Sequence, residues 1–226
     1  LSWLSKCLKN CLRQSVIIML NNIITKEVKD SLSRENYKIV GRLIKEGQPS
    51  SVLASLSQDL IEKYIETSIR SENLFFYICE YENKLIGYAL WARDTSCLIS
   101  AFRNIKYSIL IDLLIGFKIK AIMNILLSIF KKKFLLLSKD KRNFINKNLI
   151  FSLMAFEKKF QSQGIGTVFC SEMFSDLNKT YKFQTMIVEP YDERAIYFFK
   201  NKFNCSFLGK KIRFFKNLEV YYRNLA

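Results

Sequence analysis

The sequence predicts a mixed α/β domain, and three observations carry that prediction. The run Leu149–Phe156 is apolar and strand-like, and after a charged linker Gly164 and Gly166 open a helix. Its apolar positions Val168, Phe169, Met173, Phe174 and Leu177 repeat at three- and four-residue spacing. Upstream, the β-rich runs Leu74–Tyr81 and 85–91 flank the turn-forming Glu82-Asn83-Lys84, which is the pattern of an antiparallel hairpin. Amphipathic helical stripes precede the hairpin, and 226 residues are enough to bury a substantial core.

In chain order, residues 1–22 read as an N-terminal helical extension with Trp3, Leu4, Cys7, Leu8, Cys11 and Leu12 on one face. The main domain, 23–226, opens on a strand at 23–28. Asp30 or Ser31 then caps a helix carrying Tyr37, Val40, Leu43 and Ile44. Gly47-Gln48-Pro49-Ser50 ends it, and a second helix over 51–69 has Leu53, Leu56, Leu60, Ile61, Tyr64 and Ile65 as its inward stripe. Gly87, inside the second hairpin strand, fits a bulge or a close backbone approach.

Residues 97–148 form a helical insertion. Positions 108–130 are apolar almost all round, Gly116 marks a bend, and Lys131-Lys132-Lys133 come next. Two readings stay open: a helical subdomain packed on the core, or an acceptor-binding lid or membrane-surface element. Residues 183–188 are the fifth strand and 192–202 the last long helix. Phe207, Leu208 and 212–222 supply a terminal strand pair, with 209–211 and 216–217 as candidate turns.

Composition bounds the chemistry. The net charge of +16, from 36 basic and 20 acidic residues, favours anionic partners. The chain-wide abundance of Lys, Asn, Ile and Phe explains the same charge as the usage of an AT-rich genome. The six cysteines form no CxxC pair and read as buried free thiols of a reducing cytoplasm. With no histidine, His general bases, Ser-His-Asp triads and mixed His/Cys zinc sites are excluded, and no metal is expected. No run reaches the roughly 18–20 apolar residues of a spanning helix. Residues 1–6 lack the order of a signal peptide, and a chain opening on Leu1 fits a trimmed or incomplete N-terminus.

The Gly164/Gly166 turn has two readings of its own. It is plain turn chemistry, or it is a pyrophosphate cradle, since a helix N-terminus presents unpaired N–H groups and partial positive charge that glycines let a phosphate approach. No Gly-Lys-Ser/Thr comes after it, which excludes a Walker loop, and the third glycine of a dinucleotide fingerprint is missing.

Gln161-x-x-Gly164-x-Gly166, between a long strand and a helix, resembles the Gln/Arg-x-x-Gly-x-Gly/Ala signature of the GNAT N-acetyltransferase family. Asp192-Glu193-Arg194-Ala195-Ile196-Tyr197-Phe198-Phe199 looks like the same family's Asn-x-x-Ala-x-x-x-Tyr helix, in the right order after a strand. The resemblance implies a mostly antiparallel sheet whose parallel strands 4 and 5 splay apart, flanked by helices, with acetyl-CoA as co-substrate. Carried over, Met154, Ala155 and Phe156 contact the acetyl and pantetheine groups through their backbone. Gln161, Ser162, Gln163, Gly164, Ile165, Gly166 and Thr167 hold the pyrophosphate, and Asp192, where the family has Asn, accepts from a pantetheine amide. Phe199 stands where the family often has a Tyr acid, so a Tyr acid is not supported. Glu189 and Glu157 are the carboxylates placed to act as base. Insertions after the hairpin resemble a subset of the family associated with surface polysaccharides.

The implied function is acetyl transfer to a small primary amine, with an amino sugar or sugar nucleotide favoured. The alternatives are a CoA-binding protein without turnover and a protein or peptide N-acetyltransferase. No RNA-binding motif supports a nucleic-acid partner. The expected location is cytoplasmic, with contact at the inner membrane face through the basic insertion as the further option.

Overall fold

The hairpin frames the sheet. Glu82 and Asn83 both take left-handed backbone, φ 50° and 58°, the two-residue turn whose twist matches the strands it joins. From it β2 (Leu74–Tyr81) and β3 (Lys84–Ala92) run antiparallel. The computed structural model describes residues 19–49, 51–116, 137–213 and 216–225. Among these, β1 (Ile23–Val28), β4 (Leu149–Phe156), β5 (Thr185–Val188), β6 (Ser206–Arg213) and β7 (Lys216–Asn224) complete a sheet of order β1-β2-β3-β4-β5-β7-β6. Every neighbouring pair is antiparallel except β4 with β5.

Both faces of the sheet are covered, which is why β2 and β3 read as continuous apolar runs. On one face lie α1 (Arg34–Gly47), α2 (Gln58–Ile69), α3 (Thr95–Asn104) and α4 (Lys106–Ile115). Their core joins Val40, Leu43, Ile61 and Ile65 to Phe76, Ile78, Tyr88 and Leu153. A smaller cluster on that face packs Ile145 of α5 (Lys139–Asn146) with Ile150, Ile187 and Val220. On the other face, α6 (Ile165–Tyr181) buries Phe169, Cys170, Met173, Phe174 and Leu177 against Phe75, Tyr77, Cys79 and Trp91.

Two phenols fasten α6 to the sheet. Tyr77 donates to Asp176 Oδ2 at 2.5 Å, and Tyr181 donates to the Glu27 carboxylate of β1 at 2.7 and 2.8 Å. Burial, and then the Asp176 carboxylate, push the Tyr77 phenol far above its ordinary range, so it remains a donor. On the opposite face α4 is tied to α2 by Asp112, whose Oδ2 accepts from the Ser57 N–H at 3.1 Å. Ser57 makes no side-chain cap of its own, so the Asp112 carboxylate supplies the negative charge that the start of α2 favours.

Several boundaries differ from the sequence reading. Ser33, and not Asp30 or Ser31, caps α1, its Oγ accepting from Asn36 N–H. The helix expected over 51–69 divides into a single turn, Leu53–Ser55, and α2, because Leu56 takes extended backbone between them. Residues 209–211 lie inside β6, and 216–217 open β7. The apolar 1–22 helix lies outside the described residues except for its last turn, where Met19 is buried beside β1. Of the 97–148 insertion, positions 117–136 also lie outside the described residues, and Gly116 ends α4.

Gly87 meets both of its expectations. The β2–β3 register shifts beside its partner Cys79, and a Cβ placed on Gly87 would meet the Phe156 ring at 2.2 Å. Gly87→Val should therefore expel the ring that closes β4. A loss of roughly 1–3 kcal/mol is expected for such overpacking, read from the urea midpoint at unchanged m-value; an unshifted midpoint would show that Phe156 swings away freely.

Candidate active site

The site begins where two strands stop pairing. β4 and β5 share three parallel pairs, Leu149↔Met186, Ile150↔Ile187 and Phe151↔Val188, and then part. Beyond that fork, Leu153, Met154, Ala155 and Phe156 still pair with Leu90, Ala89, Tyr88 and Gly87 of β3, while β5 has ended at Val188. The second half of β4 therefore turns a main-chain edge toward the gap, a row of donors and acceptors left for an extended ligand. A register shift places Ser152 as the extra residue of a β-bulge at the fork. Bulges bend a strand and re-aim its next residues, so here the bend falls at the divergence itself.

Past Phe156 the chain makes a tight loop before α6. A single helical turn, Lys158–Phe160, is followed by Ser162 and Gly164 in left-handed backbone, φ 63° and 86°. Gln161 Nε2 donates to the Phe156 carbonyl at 2.9 Å and Gln163 Nε2 to the Lys159 carbonyl at 2.5 Å, so both glutamines of the motif brace the loop. Gly164 occupies the N-cap of α6 without a capping side chain. Helical bonding starts only at Thr167 and Val168, whose N–H groups reach the Gly164 carbonyl at 2.9 and 3.3 Å. The N–H groups of Ile165 and Gly166 precede that pattern, at the positive end of a 17-residue helix. Leu20 lies 3.7 Å from where a Gly164 Cβ would stand, and the Phe198 ring 3.6 Å from that of Gly166. An anion fits this geometry: uncapped donors, glycines at the approach, and exposed Lys158 and Lys159 close by in sequence.

The candidate side chains divide between this cradle and its surroundings. Met154 and Phe156 face α6, where Met154 Sδ is 3.6 Å from Cys170 Sγ and Phe156 meets Phe169 edge-on at 5.5 Å. Ala155 faces the other way, beneath Gly47 at the end of α1. Glu157 sits at the end of β4, where Arg42 of α1 donates to Oε1 at 2.6 Å and Lys159 lies 3.3 Å from Oε2. Glu189, just past β5, is nearly buried in an ion pair with Lys211. Asp192 caps α7 (Glu193–Tyr197), its Oδ1 accepting from Ala195 N–H at 2.8 Å.

After α7 the helix widens into a π turn, Phe198–Lys202. Phe199, at 3% exposure, packs its ring on Phe151, 5.2 Å between centroids, so it is lodged at the fork. Tyr197 points outward, 62% exposed, and is not part of the cleft. Phe198, Arg42 and Leu20 are neighbours of the site that sequence reasoning misses. Arg42 carries no local signal, because its partner lies 115 residues away.

Among the described residues, three thiols are buried and held in the protonated form. Burial raises the Cys79 thiol to about 12 and the Cys205 thiol to about 11, and drives Cys170 higher still. Among the described residues no group of three or more His, Cys, Asp or Glu side chains is placed to hold a metal ion.

No protein-family model matches the chain, and no curated protein matches it in sequence. Solved structures do. The chain is similar to a spermidine/spermine N-acetyltransferase of Vibrio cholerae, solved with manganese ions, at 9% identity and TM-score 0.52 over 92% of this chain and 95% of that one. It is similar to an N-acetyltransferase of Staphylococcus aureus at 11% identity and TM-score 0.54, over 91% and 99% of the two chains. A protein of Desulfovibrio desulfuricans assigned to the GNAT acetyltransferases matches at 11% identity and TM-score 0.51, over 90% and 99%. At such identities the likeness is one of architecture, and together with the parted strands β4 and β5 it establishes that this chain has the GNAT acetyltransferase fold.

Proposed function

We propose that the chain is an acetyl-CoA-dependent N-acetyltransferase acting on a small primary amine. The observation that carries this reading is the meeting of the β4–β5 fork with the uncapped start of α6, which supplies an open strand edge and an anion cradle at adjoining places. The edge of residues 152–156 would take the pantetheine arm as an added strand, and residues 161–167 the pyrophosphate. Asp192 holds the turn into α7 and would receive a pantetheine amide on the carboxylate oxygen its cap leaves over. Acetyl-CoA supplies an activated thioester. The residues of the chain bind and align it, and the β4 N–H groups are the donors available to steady charge growing on the carbonyl oxygen.

An attacking amine must lose a proton. Glu157, between α1 and the end of β4, is the carboxylate this reading uses, through water, with Arg42 and Lys159 fixing its direction. Glu189, locked to Lys211, holds the far side of the fork. With Phe199 at the position of a Tyr acid, the departing thiolate takes its proton from solvent. Phe199 also keeps the second reading alive, a CoA-binding protein without turnover.

The acceptor class rests on charge. The V. cholerae neighbour's name gives a polyamine as its substrate, yet a chain of +16 repels polycations and attracts amines that carry phosphate. We therefore favour an amino sugar joined to a nucleotide. Thiol release from acetyl-CoA should be faster with such an amine than with spermidine, and faster spermidine turnover would overturn the preference. Binding of acetyl-CoA without release against any amine would select the non-catalytic reading.

Gly164→Val puts a β-branched side chain at φ 86° and in front of the helix donors. It should weaken acetyl-CoA binding at least about tenfold, or 1.4 kcal/mol; equal calorimetric affinities would remove the cradle. Glu157→Gln should lower kcat by about 10²-fold with acetyl-CoA affinity unchanged. A wild-type kcat would take Glu157 out of the reaction. Phe199→Tyr should leave turnover unchanged or raised. A loss beyond about tenfold with an intact melt would show that the fork needs an apolar ring, since an unpaired buried hydroxyl alone accounts for about 1–3 kcal/mol.

A further inference from the structure

Helix α4 has one face too many. Its inner side is fully used: Ile109 and Leu113 are buried in the α1/α2 core, and Asp112 is bonded to the start of α2. Its outer side carries Tyr107, Leu110, Ile111, Leu114 and Ile115, each between 50 and 74% exposed. At 100° per residue these five positions form one continuous arc of about 140°. Scattered exposed apolar residues are ordinary, but a contiguous stripe of five on one helix marks a contact surface. The described rim of the stripe is cationic: Arg103 and Lys106 are exposed at its N-terminal end, and the Lys106 ammonium lies 4.7 Å over the Tyr107 ring.

That rim discriminates between occupants. A second copy would bring the same cations, on a chain of +16, against themselves. An anionic lipid surface receives apolar side chains at the acyl boundary and cations at the headgroups. We infer that the outer face of α4 is a peripheral docking surface for anionic lipid bilayers. The bond from Asp112 to Ser57 joins this helix directly to α2, so docking would hold the α1/α2 side of the domain toward the bilayer. The inference stands on exposure and charge, independently of the acetyl-transfer reading.

Flotation of the whole chain on phosphatidylcholine vesicles with and without about 30 mol% phosphatidylglycerol tests it at low salt. Recovery with the anionic vesicles only, declining as salt rises from about 0.05 to 0.5 M, is the expected result. The pair Leu110→Gln and Leu114→Gln should lower recovery at least tenfold with acetyl-CoA affinity and melting unchanged. Should that pair disturb folding, Arg103→Gln with Lys106→Gln leaves the core untouched and should lower anionic-vesicle binding several-fold. Absence of flotation at low salt overturns the inference, as does flotation that neither pair diminishes. A dimer in sedimentation that the leucine pair dissolves also overturns it, by assigning the stripe to self-association.

Discussion

Backbone groups cannot be left in a protein interior without partners, and the fork between β4 and β5 is where this fold suspends that rule. Three paired residues hold the strands together, and then one edge of β4 is surrendered to whatever enters the gap. The neighbourhood is built to keep the gap from closing. Ser152 bulges at the divergence, and Phe199 is wedged on Phe151, the last β4 residue that β5 still reaches. Phe203 and Phe198 back that wedge at 6.4 and 5.1 Å from Phe199. An aromatic cluster suits the task because rings fill large, rigid volumes with few rotatable bonds. The strands part because the space at the root of their continuations is already occupied by side chains.

Two layers of helix then meet at the mouth of the fork. The α6 layer presents the uncapped N-terminus at Gly164 and is fastened by the Tyr77–Asp176 and Tyr181–Glu27 bonds, which cross from helix to sheet side by side, since Glu27 and Tyr77 face each other in the β1/β2 register. The α1/α2 layer reaches the same mouth through Gly47 above Ala155 and through the Arg42–Glu157 pair. That pair is partly exposed, so its worth lies in direction more than in stability. Both layers address its carboxylate, Arg42 from the first and Lys159 from the loop that opens the second.

Much of this is legible in the chain, for reasons that can be named. The hairpin, β4 and the start of α6 announce themselves through apolar periodicity and turn residues, which are local properties. The glycines are informative because Gly164 does take positive φ, a demand that only the backbone makes. What escapes is set by distant contacts. Nothing near Arg42 tells that Glu157 will lie beside it, and Ser33 takes the cap of α1 from Asp30 and Ser31 because the helix starts at Arg34, which its apolar stripe from Tyr37 onward does not specify. Strand β6 misleads because Gly209 and the lysines after it look like a turn in isolation. In the fold Gly209 faces Leu137, whose Cδ2 would lie 2.4 Å from an added Cβ, so the glycine serves close packing.

The π turn at Phe198–Lys202 has a consequence for comparing this chain with others. Widening the helix by one residue brings positions five apart into register, and Phe198 and Phe203 meet at 5.1 Å accordingly. Any alignment that treats the segment as a regular helix acquires a one-residue phase error somewhere inside it. Relatives that differ here by a single insertion or deletion are therefore best aligned by the ring that touches Phe151, a criterion of place and not of order.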